Sequence, residues 1–376
     1  MNSASFSFSP ATCPRLIVKV GSALLVAADG TVRREWLTSL VADIAARAKA
    51  GQEIAIVSSG AIALGARRLK LAKGGRASLE DAQAAAATGQ IALSQVWAEL
   101  LGVEGLTAAQ ILVTLDDLED RRRYLNAAAT LNRLLALGVV PIINENDSVA
   151  TEEIRFGDND RLAARVAQAA GAQGVILLSD VDGLYDANPT TNPGAILIDR
   201  VDRIDAKIEA MADGGSGSGM GSGGMVSKIA AARIATAAGA HLAIVSGHAT
   251  NPLAAYGESG HGTVFVAEKT APARKAWLAG GLTAKGEVHI DAGATRALLG
   301  GKSLLAAGAV RIEGKFKRGD LVAICGPDGK PVARGLAEYD AADAAKIVGH
   351  RSDALAAILG YAPRAALVHR SHMALL

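Results

Sequence analysis

The sequence predicts an α/β protein, a three-layer sandwich around a mainly parallel β-sheet, followed by a small, mostly-β domain. Short β-branched runs alternate with Ala-rich helical stretches from Arg15 to about Val266, a pattern typical of parallel sheets covered by helices on both faces. Hydrophobic residues make up 50% of the chain but aromatic residues only 3%, so the core is built from small aliphatic side chains. After Glu268 the helical stretches give way to short strands.

Six strands are predicted in the α/β part, each a short run rich in β-branched and aliphatic residues. They run from Leu16 to Val20, Glu53 to Val57, Gln110 to Thr114, Val139 to Asn144, Gly174 to Ser179 and His241 to Ser246. The main helices between them have apolar residues at helical spacing. They run from Arg34 to Lys49, Ser78 to Leu101, Arg121 to Leu137 and Val226 to Ala238.

The sequence of the C-terminal part predicts a β domain. Its strands run from Glu287 to Ile290, Ala309 to Ile312, Leu321 to Ile324 and Pro331 to Leu336. The turn Gly326-Pro327-Asp328-Gly329 joins the last two strands as a hairpin. The predicted boundaries are a disordered N-terminal tail (1–14), the α/β domain (15–268), a linker (269–285), the β domain (286–365) and a C-terminal tail (366–376).

Composition and charge exclude several classes of protein. The formal net charge of +2 gives no field strong enough to make nucleic acid or an anionic membrane the main partner. The two cysteines, Cys13 and Cys325, lie far apart in the chain, which excludes a disulfide framework or a thiolate metal cluster and fits a reducing compartment. No run approaches the ~18 apolar residues of a membrane span, and the first 14 residues lack the pattern of a signal peptide. We therefore predict a cytoplasmic protein.

Polar residues follow the predicted parallel strands, at the edge where ligands bind in open α/β sheets. Gly21 and Ser22 follow the first strand, and Ser58-Ser59-Gly60-Ala61 follows the second and opens a helix, so both segments suit an anion. Carboxylates and amides gather after the fourth and fifth strands. These segments are Asn144-Glu145-Asn146-Asp147, Gly157-Asp158-Asn159-Asp160 and Ser179-Asp180-Val181-Asp182-Gly183.

A glycine-rich segment from Asp213 to Lys228 runs directly into a predicted helix. Backbone N–H groups without side chains can close around phosphate oxygens, and the helix N-terminus adds a favourable partial charge. Lys228 would then reach the transferring phosphate. A flexible Gly/Ser linker is the alternative interpretation, although a linker need not adjoin a helix.

Six motifs, in this order along the chain, resemble the amino-acid kinase family. They are Val18-Lys19-Val20-Gly21-Ser22, Val57-Ser58-Ser59-Gly60-Ala61-Ile62, Ile143-Asn144-Glu145-Asn146-Asp147, Gly157-Asp158-Asn159-Asp160, Ser179-Asp180-Val181-Asp182-Gly183-Leu184-Tyr185 and Gly223-Gly224-Met225-Val226-Ser227-Lys228. Each motif alone is weak evidence, whereas six in order are specific. The segment from about Gly286 to Ala365 resembles the PUA domain, so the resemblance covers nearly the whole chain and implies the amino-acid kinase fold followed by a PUA-like barrel.

Within this family the motifs are most similar to those of enzymes that phosphorylate the side-chain carboxylate of L-glutamate to γ-glutamyl phosphate, the first step of proline biosynthesis. The resemblance implies ATP as phosphoryl donor, Mg²⁺ with the nucleotide, proline as a feedback inhibitor and a homo-oligomer, either dimer or tetramer. A glutamate side chain, with a pKa of about 4.3, is ionised at neutral pH and needs no general base. The sequence identifies no protein ligand for Mg²⁺.

The resemblance also implies catalytic residues. Lys19 and Lys228 flank the transferred phosphoryl group, whose dispersed charge two cations stabilise. Either Asp158 or Asp160 orients the lysines, and helix capping is the alternative role for both aspartates. The residues implied in ATP binding are Lys19, Gly21, Ser179, Asp180, Ser222, Gly223, Gly224, Met225, Val226, Ser227 and Lys228.

The implied glutamate site consists of Ser59, Asp147 and Asn159. The Ser59 hydroxyl and adjacent backbone N–H groups can take the α-carboxylate, and Asp147 can pair with the α-ammonium group. Asn159 can bridge Ser59 and Asp147. For Asp147 alone, a turn or capping role remains open, because Asp and Asn are common turn residues.

Two alternatives remain. Another amino-acid kinase, acting on aspartate or N-acetylglutamate, would share the nucleotide half, although aspartate kinases typically open with a Lys-Phe-Gly-Gly-Thr-like turn instead of Lys19-Val20-Gly21-Ser22. The second alternative is RNA binding, because PUA domains elsewhere recognise structured RNA and this one carries Lys315, Lys317, Arg318 and Arg334. Interleaved acidic residues make RNA the weaker interpretation, and no membrane partner is expected.

Overall fold

A computed structural model describes residues 6–149, 158–213, 224–268, 284–364 and 366–376. The chain divides into two compact units, residues 1–268 and 269–376. Among the described residues, no helix is both long enough and apolar enough to cross a membrane.

Ten strands are described in the first unit. They are β1 (Arg15–Val20), β2 (Glu53–Ser58), β3 (Ala108–Val113), β4 (Val140–Glu145), β5 (Gly174–Ser179), β6 (Leu184–Tyr185), β7 (Leu197–Ile198), β8 (Arg200–Val201), β9 (His241–Ser246) and β10 (Thr263–Phe265). Eight of them form one sheet in the order β3-β4-β2-β1-β5-β9-β10-β8, while β6 pairs with β7 in a separate hairpin. The pairing of β10 with β9 is antiparallel, and the other pairings of this sheet are parallel.

Helices cover both faces of this sheet. They are α1 (Ser22–Leu25), α2 (Arg34–Lys49), α3 (Ala61–Leu69), α4 (Leu79–Val103), α5 (Leu115–Glu119), α6 (Arg121–Ala136), α7 (Asp158–Ala170), α8 (Ala206–Asp213), α9 (Gly224–Ala237) and α10 (Pro252–Ser259). One layer contains α2, α4 and α10, and the opposite layer contains α6, α7 and α9. The predicted fold class, an α/β sandwich with a mainly parallel sheet, is confirmed.

The alternation of side chains along β1 determines the face of the sheet to which each residue points. Leu16, Val18 and Val20 join the hydrophobic core formed with α2 and α4. Because successive side chains of a strand point to opposite faces, Lys19 points to the other side of the sheet, where α7 packs against β1. The apolar pattern of β1 therefore directs its one lysine away from the α2–α4 core.

Two glycines allow α3 and α4 to pack backbone against backbone. A Cβ atom placed on Gly65 would lie 1.8 Å from the carbonyl oxygen of Ala85, and one on Gly89 would lie 1.8 Å from that of Ala61. No side chain fits at either position, because real Cβ contacts are never so short. This contact holds the N-terminus of α3, which follows Ser59, against the middle of α4.

Residues 6–14, which the sequence predicts as part of a disordered tail, instead contribute to the core. Phe8 and Cys13 are buried, and the ring of Phe6 stacks on His241 with a centroid separation of 3.7 Å. The Nε2 atom of the buried Gln52 donates to the carbonyl oxygens of Phe8 and Cys13. Burial of Phe8 and partial burial of Phe6 stabilise this segment, since apolar surface removed from water contributes about 25 cal/mol per Å².

The second unit contains a five-stranded sheet. Its elements are β11 (Gly286–Ile290), α11 (Ala292–Leu299), β12 (Ala309–Gly314), β13 (Leu321–Cys325), β14 (Pro331–Leu336), α12 (Ala341–Ile347), α13 (Leu355–Leu359) and β15 (Met373–Leu375). The strand order is β12-β11-β13-β14-β15. The predicted hairpin joins β13 to β14, where the Gly326 N–H donates to the Lys330 carbonyl oxygen over 2.9 Å.

The chain beyond residue 365, predicted as a tail, instead completes this sheet. Strand β15 pairs antiparallel with β14, and Val368 forms a bridge with Leu304. Leu367, Val368 and Met373 are buried in the core of the second unit. The predicted boundary of the β domain at residue 365 is too early, because these apolar residues are separated by polar ones and form no long run. The predicted linker comprises residues 269–285, of which residues 269–283 lie outside the described residues.

Candidate active site

The carboxyl ends of neighbouring parallel strands gather the predicted polar residues at one edge of the first sheet. In the registers of β1 with its neighbours, Val20 lies opposite Ser58 of β2 and Leu178 of β5. The residues that follow these strands therefore emerge side by side. Strand β4 pairs with β2 and ends in the same direction, which brings Asn144 to this edge.

A buried cluster of three charged side chains, Lys19, Asp160 and Lys228, lies on the α7–α9 side of this edge. We call it the lysine–aspartate centre. Lys19 Nζ lies 2.7 Å from Asp160 Oδ1, and Lys228 Nζ donates to Asp160 Oδ2 over 3.1 Å. The side chains of Lys19, Asp160 and Lys228 are only 9%, 1% and 7% exposed. Two cations and one anion leave a net positive charge, which suits a phosphoryl group.

Three different elements supply the lysine–aspartate centre. Lys19 comes from the end of β1, Asp160 from the first turn of α7 and Lys228 from the start of α9. Side chains on a helix lean toward its N-terminus, and Lys228 Nζ accordingly also donates to the Gly224 carbonyl oxygen over 3.3 Å. The packing of α7 against α9 brings the two helix starts together.

The charge of Asp160 depends on its two partners. Burial raises the pKa of its carboxyl group, but Lys19 and Lys228 more than offset this effect and hold the pKa below its ordinary value. An ionised Asp160 thus contacts both lysines at once. Helix α7 begins at Asp158, whose side chain lies outside the described structure. Of the two candidate aspartates, Asp160 has the geometry of the residue that orients the lysines.

Neutral side chains adjoin this centre on the other side of Asp160. Asn159 Nδ2 donates to Ser59 Oγ over 2.7 Å and to Asn144 Oδ1 over 3.1 Å. Asn144 Nδ2 in turn donates to Gln90 Oε1 over 2.9 Å. We call Ser59, Asn159, Asn144 and Gln90 the amide network. Since Asn159 and Asp160 are consecutive in α7, the network and the lysine–aspartate centre meet at this helix.

One polar atom of the amide network lacks a hydrogen-bond partner among the residues that the structure describes. Asn159 Oδ1 is buried and accepts no hydrogen bond within the described structure. A buried acceptor without a partner costs about 1–3 kcal/mol, so its presence indicates a position where a ligand supplies the donor. An ammonium group is a donor of this kind.

Asp147 lies two residues beyond the end of β4 and is buried. Burial lowers the pKa of Arg76, and the negative charge of Asp147 opposes that shift. The charges of Arg76 and Asp147 therefore interact. Sequence reasoning did not single out Arg76, which lies between α3 and α4 and belongs to none of the motifs.

The predicted nucleotide-binding residues lie at the ends of β1 and β5 and the start of α9. Ser179 is buried and its Oγ donates to Asp180 Oδ1 over 3.0 Å, while Asp180 itself is exposed. A Cβ atom on Gly21 would lie 3.7 Å from Lys19 Nζ, so glycine leaves the approach to this ammonium group open. Gly224, Met225, Val226 and Ser227 form the first turn of α9, with the Val226 side chain exposed. Ser222 and Gly223 lie outside the described residues.

Oxygen ligands for a divalent ion are scarce at the lysine–aspartate centre. Both oxygens of Asp160 already contact lysines. Mg²⁺ commonly binds through nucleotide phosphates, water and one or two carboxylates rather than in an all-protein cage. The described residues of this centre therefore fit an ion that arrives with a nucleotide rather than one that the protein holds by itself.

A separate cluster in the second unit brings together Glu287, His289 and Cys325, whose potential ligand atoms lie within 4.8 Å of one another. However, Arg311 Nη2 lies 3.3 Å from His289 Nε2. The guanidinium group places a positive charge beside the imidazole ring, so this arrangement disfavours a cation.

The sequence offers four basic residues for RNA binding, and two of them, Arg318 and Arg334, are poorly placed for it. The other two, Lys315 and Lys317, are exposed. Guanidinium nitrogens of Arg318 and Arg334 are buried, and Arg318 lies near the carboxylate of Glu338. These side chains therefore do not form a continuous exposed basic patch.

Comparison with known proteins identifies both parts of the chain. Residues 14–246 match the sequence profile of the Amino acid kinase family, and residues 286–359 match that of the PUA domain. The chain belongs to the amino acid kinase family. The resemblance drawn from the six motifs is thereby confirmed.

Several relatives of this amino acid kinase are named glutamate 5-kinase. One from Sphingopyxis alaskensis is 75% identical over 369 residues, covering 98% of this chain and 99% of that protein. Others from Zymomonas mobilis and Novosphingobium aromaticivorans are each 62% identical, covering 98% and 97% of this chain and 93% and 97% of those proteins. The similarity thus extends over both units of the kinase.

Sequence reasoning on this amino acid kinase missed the role of Gln90 and left Asn144 out of the substrate site. Gln90 lies in the Ala-rich helix α4, where most side chains serve the core. The one available signal was a polar side chain within a buried stripe, since buried polar groups require partners. Trp97 of the same helix gives a similar signal, because its Nε1 donates to Ser58 Oγ over 2.9 Å.

Proposed function

We propose that this protein transfers the γ-phosphoryl group of ATP to the side-chain carboxylate of L-glutamate, forming γ-glutamyl phosphate as the first step of proline biosynthesis. The observation that carries the proposal is the adjacency of two sites on α7. Asp160 gathers two buried lysines, and the neighbouring Asn159 presents a buried acceptor that has no partner among the described residues. The first arrangement suits a phosphoryl group, and the second suits an amino acid.

The reaction requires no proton transfer. A carboxylate oxygen of glutamate forms a bond to the γ-phosphorus, the bond from that phosphorus to the bridging β–γ oxygen breaks, and ADP leaves with the electron pair. The carboxylate is already ionised at neutral pH, because its ordinary pKa is about 4.3. The absence of histidine from the described contacts of the lysine–aspartate centre therefore presents no difficulty.

Lys19 and Lys228 provide electrostatic stabilisation. Negative charge spreads over the phosphoryl oxygens during transfer, and fixed cations in a site shielded from water stabilise it more than water does. Asp160 acts as a positioning residue, since its two oxygens hold the two ammonium groups at 2.7 and 3.1 Å. The lysines need not reorganise when the phosphoryl group arrives.

The glutamate main-chain groups bind at the amide network. Ser59 Oγ accepts from Asn159, so its own hydrogen remains to donate to the α-carboxylate. Asn159 Oδ1 and the carboxylate of Asp147 accept from the α-ammonium group. This arrangement directs the side chain of glutamate toward Lys19 and Lys228, because Asn159 and Asp160 adjoin.

The nucleotide binds through Gly21, Ser179, Asp180 and the start of α9, and Ser222 and Gly223 belong to the same proposed loop. Mg²⁺ bound to the phosphates neutralises part of their charge. We place the reaction in the cytoplasm, where ATP and glutamate are available. Feedback inhibition by proline and assembly into a homo-oligomer form part of the same proposal.

A hydroxylamine trap tests the proposal, because hydroxylamine converts acyl phosphates to hydroxamates, which give a coloured complex with ferric ion. With Mg-ATP and glutamate we expect hydroxamate from the parent, and little from Lys228→Ala. Lys49→Ala is the matched control, since Lys49 is an exposed surface lysine paired only with Glu104 among the described contacts. Absence of product from the parent, or a preference for aspartate or N-acetylglutamate, would overturn the assignment.

A further inference from the structure

Gln90 and Ser94 lie one turn apart on α4 and anchor one end of the amide network. Ser94 Oγ donates to the Gln90 carbonyl oxygen over 2.8 Å and accepts from Gln90 Nε2 over 3.2 Å. A backbone carbonyl can only accept, so the single hydrogen of the Ser94 hydroxyl is committed to it. Ser94 Oγ can therefore act only as an acceptor toward the Gln90 side chain.

This commitment fixes the direction of each following amide. Gln90 must present Nε2 to Ser94 and therefore turns Oε1 toward Asn144, whose Nδ2 donates to it over 2.9 Å. Asn144 consequently turns Oδ1 toward Asn159, whose Nδ2 donates to it over 3.1 Å. Asn159 is left with Oδ1 as its remaining polar atom, and this buried acceptor has no hydrogen-bond partner in the part of the chain that the structure describes.

The direction matters because a reversed amide would present the opposite chemistry. Gln90 and Asn144 are only 7% and 2% exposed, so water cannot readily compensate for a reversed group. If Asn144 turned around, its Nδ2 would face Asn159, and Asn159 would present N–H donors to the substrate. Donors attract an anion and repel an ammonium group.

We propose that Gln90 and Ser94 are positioning residues that set the direction of the amide network and thereby make the site selective for a substrate with an α-ammonium group. The inference rests on the proposed function. Neither residue contacts the substrate. Both act through Asn144 and Asn159, over a chain of hydrogen bonds that begins at a backbone carbonyl of α4.

The test compares glutamate with glutarate, which has the same two carboxylates and lacks the amino group. We expect Gln90→Met, which retains the length of the side chain without its polar atoms, to lower the glutamate-to-glutarate ratio of kcat/KM about tenfold or more. KM for glutamate should rise, while kcat and KM for ATP change less than about threefold, because the lysine–aspartate centre is untouched.

Gln95→Met is the matched control, since Gln95 is exposed on the same helix. Ser94→Ala provides a second route if Gln90→Met unfolds, and it should lower the same ratio by a smaller factor. If folded Gln90→Met has the same glutamate-to-glutarate ratio of kcat/KM as the parent, the inference is overturned. If Gln90→Met does not fold, an unchanged ratio in Ser94→Ala overturns it. A parent that makes no acyl phosphate from glutamate overturns the proposed function instead.

Discussion

The lysine–aspartate centre and the amide network hold their functional groups by different forces. In the first, one buried carboxylate fixes two ammonium groups through charge. In the second, neutral side chains fix one another through directional hydrogen bonds. Charge acts over several ångströms in any direction, whereas a hydrogen bond depends on which atom donates.

This difference suits the two tasks of the proposed reaction. A phosphoryl group in transfer needs positive charge around it, and the same arrangement would serve almost any phosphorylated donor. An amino acid substrate must be distinguished from similar dicarboxylates, which requires donors and acceptors in fixed places. The adjacency of Asn159 and Asp160 allows one helix, α7, to serve both tasks.

Replacing Asp160 should separate the two regions most clearly. In Asp160→Asn the two lysines lose the charge that holds them together, and we expect kcat to fall about a thousandfold, the upper end for loss of a preorganised electrostatic group. KM for glutamate should stay within about threefold of the parent value, because Asn159 keeps its partners. Steady-state kinetics check both values.

Asp116→Asn is the control for this substitution, since Asp116 is an exposed aspartate of the same unit. It should leave both constants unchanged. A large rise in the glutamate KM of Asp160→Asn, with kcat preserved, would show that the two regions do not divide the work as proposed.

Gly89→Ala should damage the support of the amide network without removing any of its polar groups. The added Cβ meets the Ala61 carbonyl oxygen at 1.8 Å, so α3 and α4 must separate. We expect the free energy of unfolding to fall by about 3 kcal/mol, the upper end for overpacking, and KM for glutamate to rise. Urea denaturation measures the first effect.

Gly102→Ala is a matched control on the same helix, because a Cβ atom there meets nothing within 4 Å. Alanine is the better helix former, so this variant should be more stable than the parent by up to about 1 kcal/mol. Equal stability of the two variants would contradict the close contact between α3 and α4.

The dependence of stability on pH should also distinguish the lysine–aspartate centre from the amide network. This effect should be smaller than those of the substitutions above. The folded-state pKa of Asp160 lies below its ordinary value of 3.8. Its ionised form thus stabilises the folded state above pH 3.8, and this contribution disappears as the pH falls through the lower folded-state pKa.

The unfolding free energies of the parent and Asp160→Asn should therefore differ most near neutral pH and converge in acid. Urea denaturation at a series of pH values measures this difference. A difference that does not depend on pH would show that the Asp160 charge makes no contribution to folding. Gln90→Met, whose altered group does not titrate, should give a constant difference from the parent over the same range.

Much of the first unit could be predicted from local patterns. The bounds of β5 and β9 agree with the predicted strands, and α2 agrees with its predicted helix. Runs of β-branched residues and helical apolar spacing depend on neighbours in sequence, which is why they can be read directly. Strand β15 could not be predicted in this way, because three residues form a strand only where β14 offers an edge to pair with.

The candidate site was partly predictable for the same reason. Motifs pointed to Lys19, Lys228, Ser59 and Asn159, but they could not decide between Asp158 and Asp160. Both aspartates occupy the first turn of α7, and only the packing of that helix brings the Asp160 carboxylate to the two lysines. Gln90 was missed because its partner Asn144 lies 54 residues away.

The sequence by itself determined the order of strands and helices, the polar residues at the strand ends and the resemblance to amino acid kinases. These features follow from short-range patterns in the chain. The tertiary structure decided which of those residues meet. Asp160 reaches Lys228 across 68 residues and Asn159 reaches Ser59 across 100, and such contacts arise only when the sheet order and helix packing are fixed. The direction of the amide network is likewise set by these contacts.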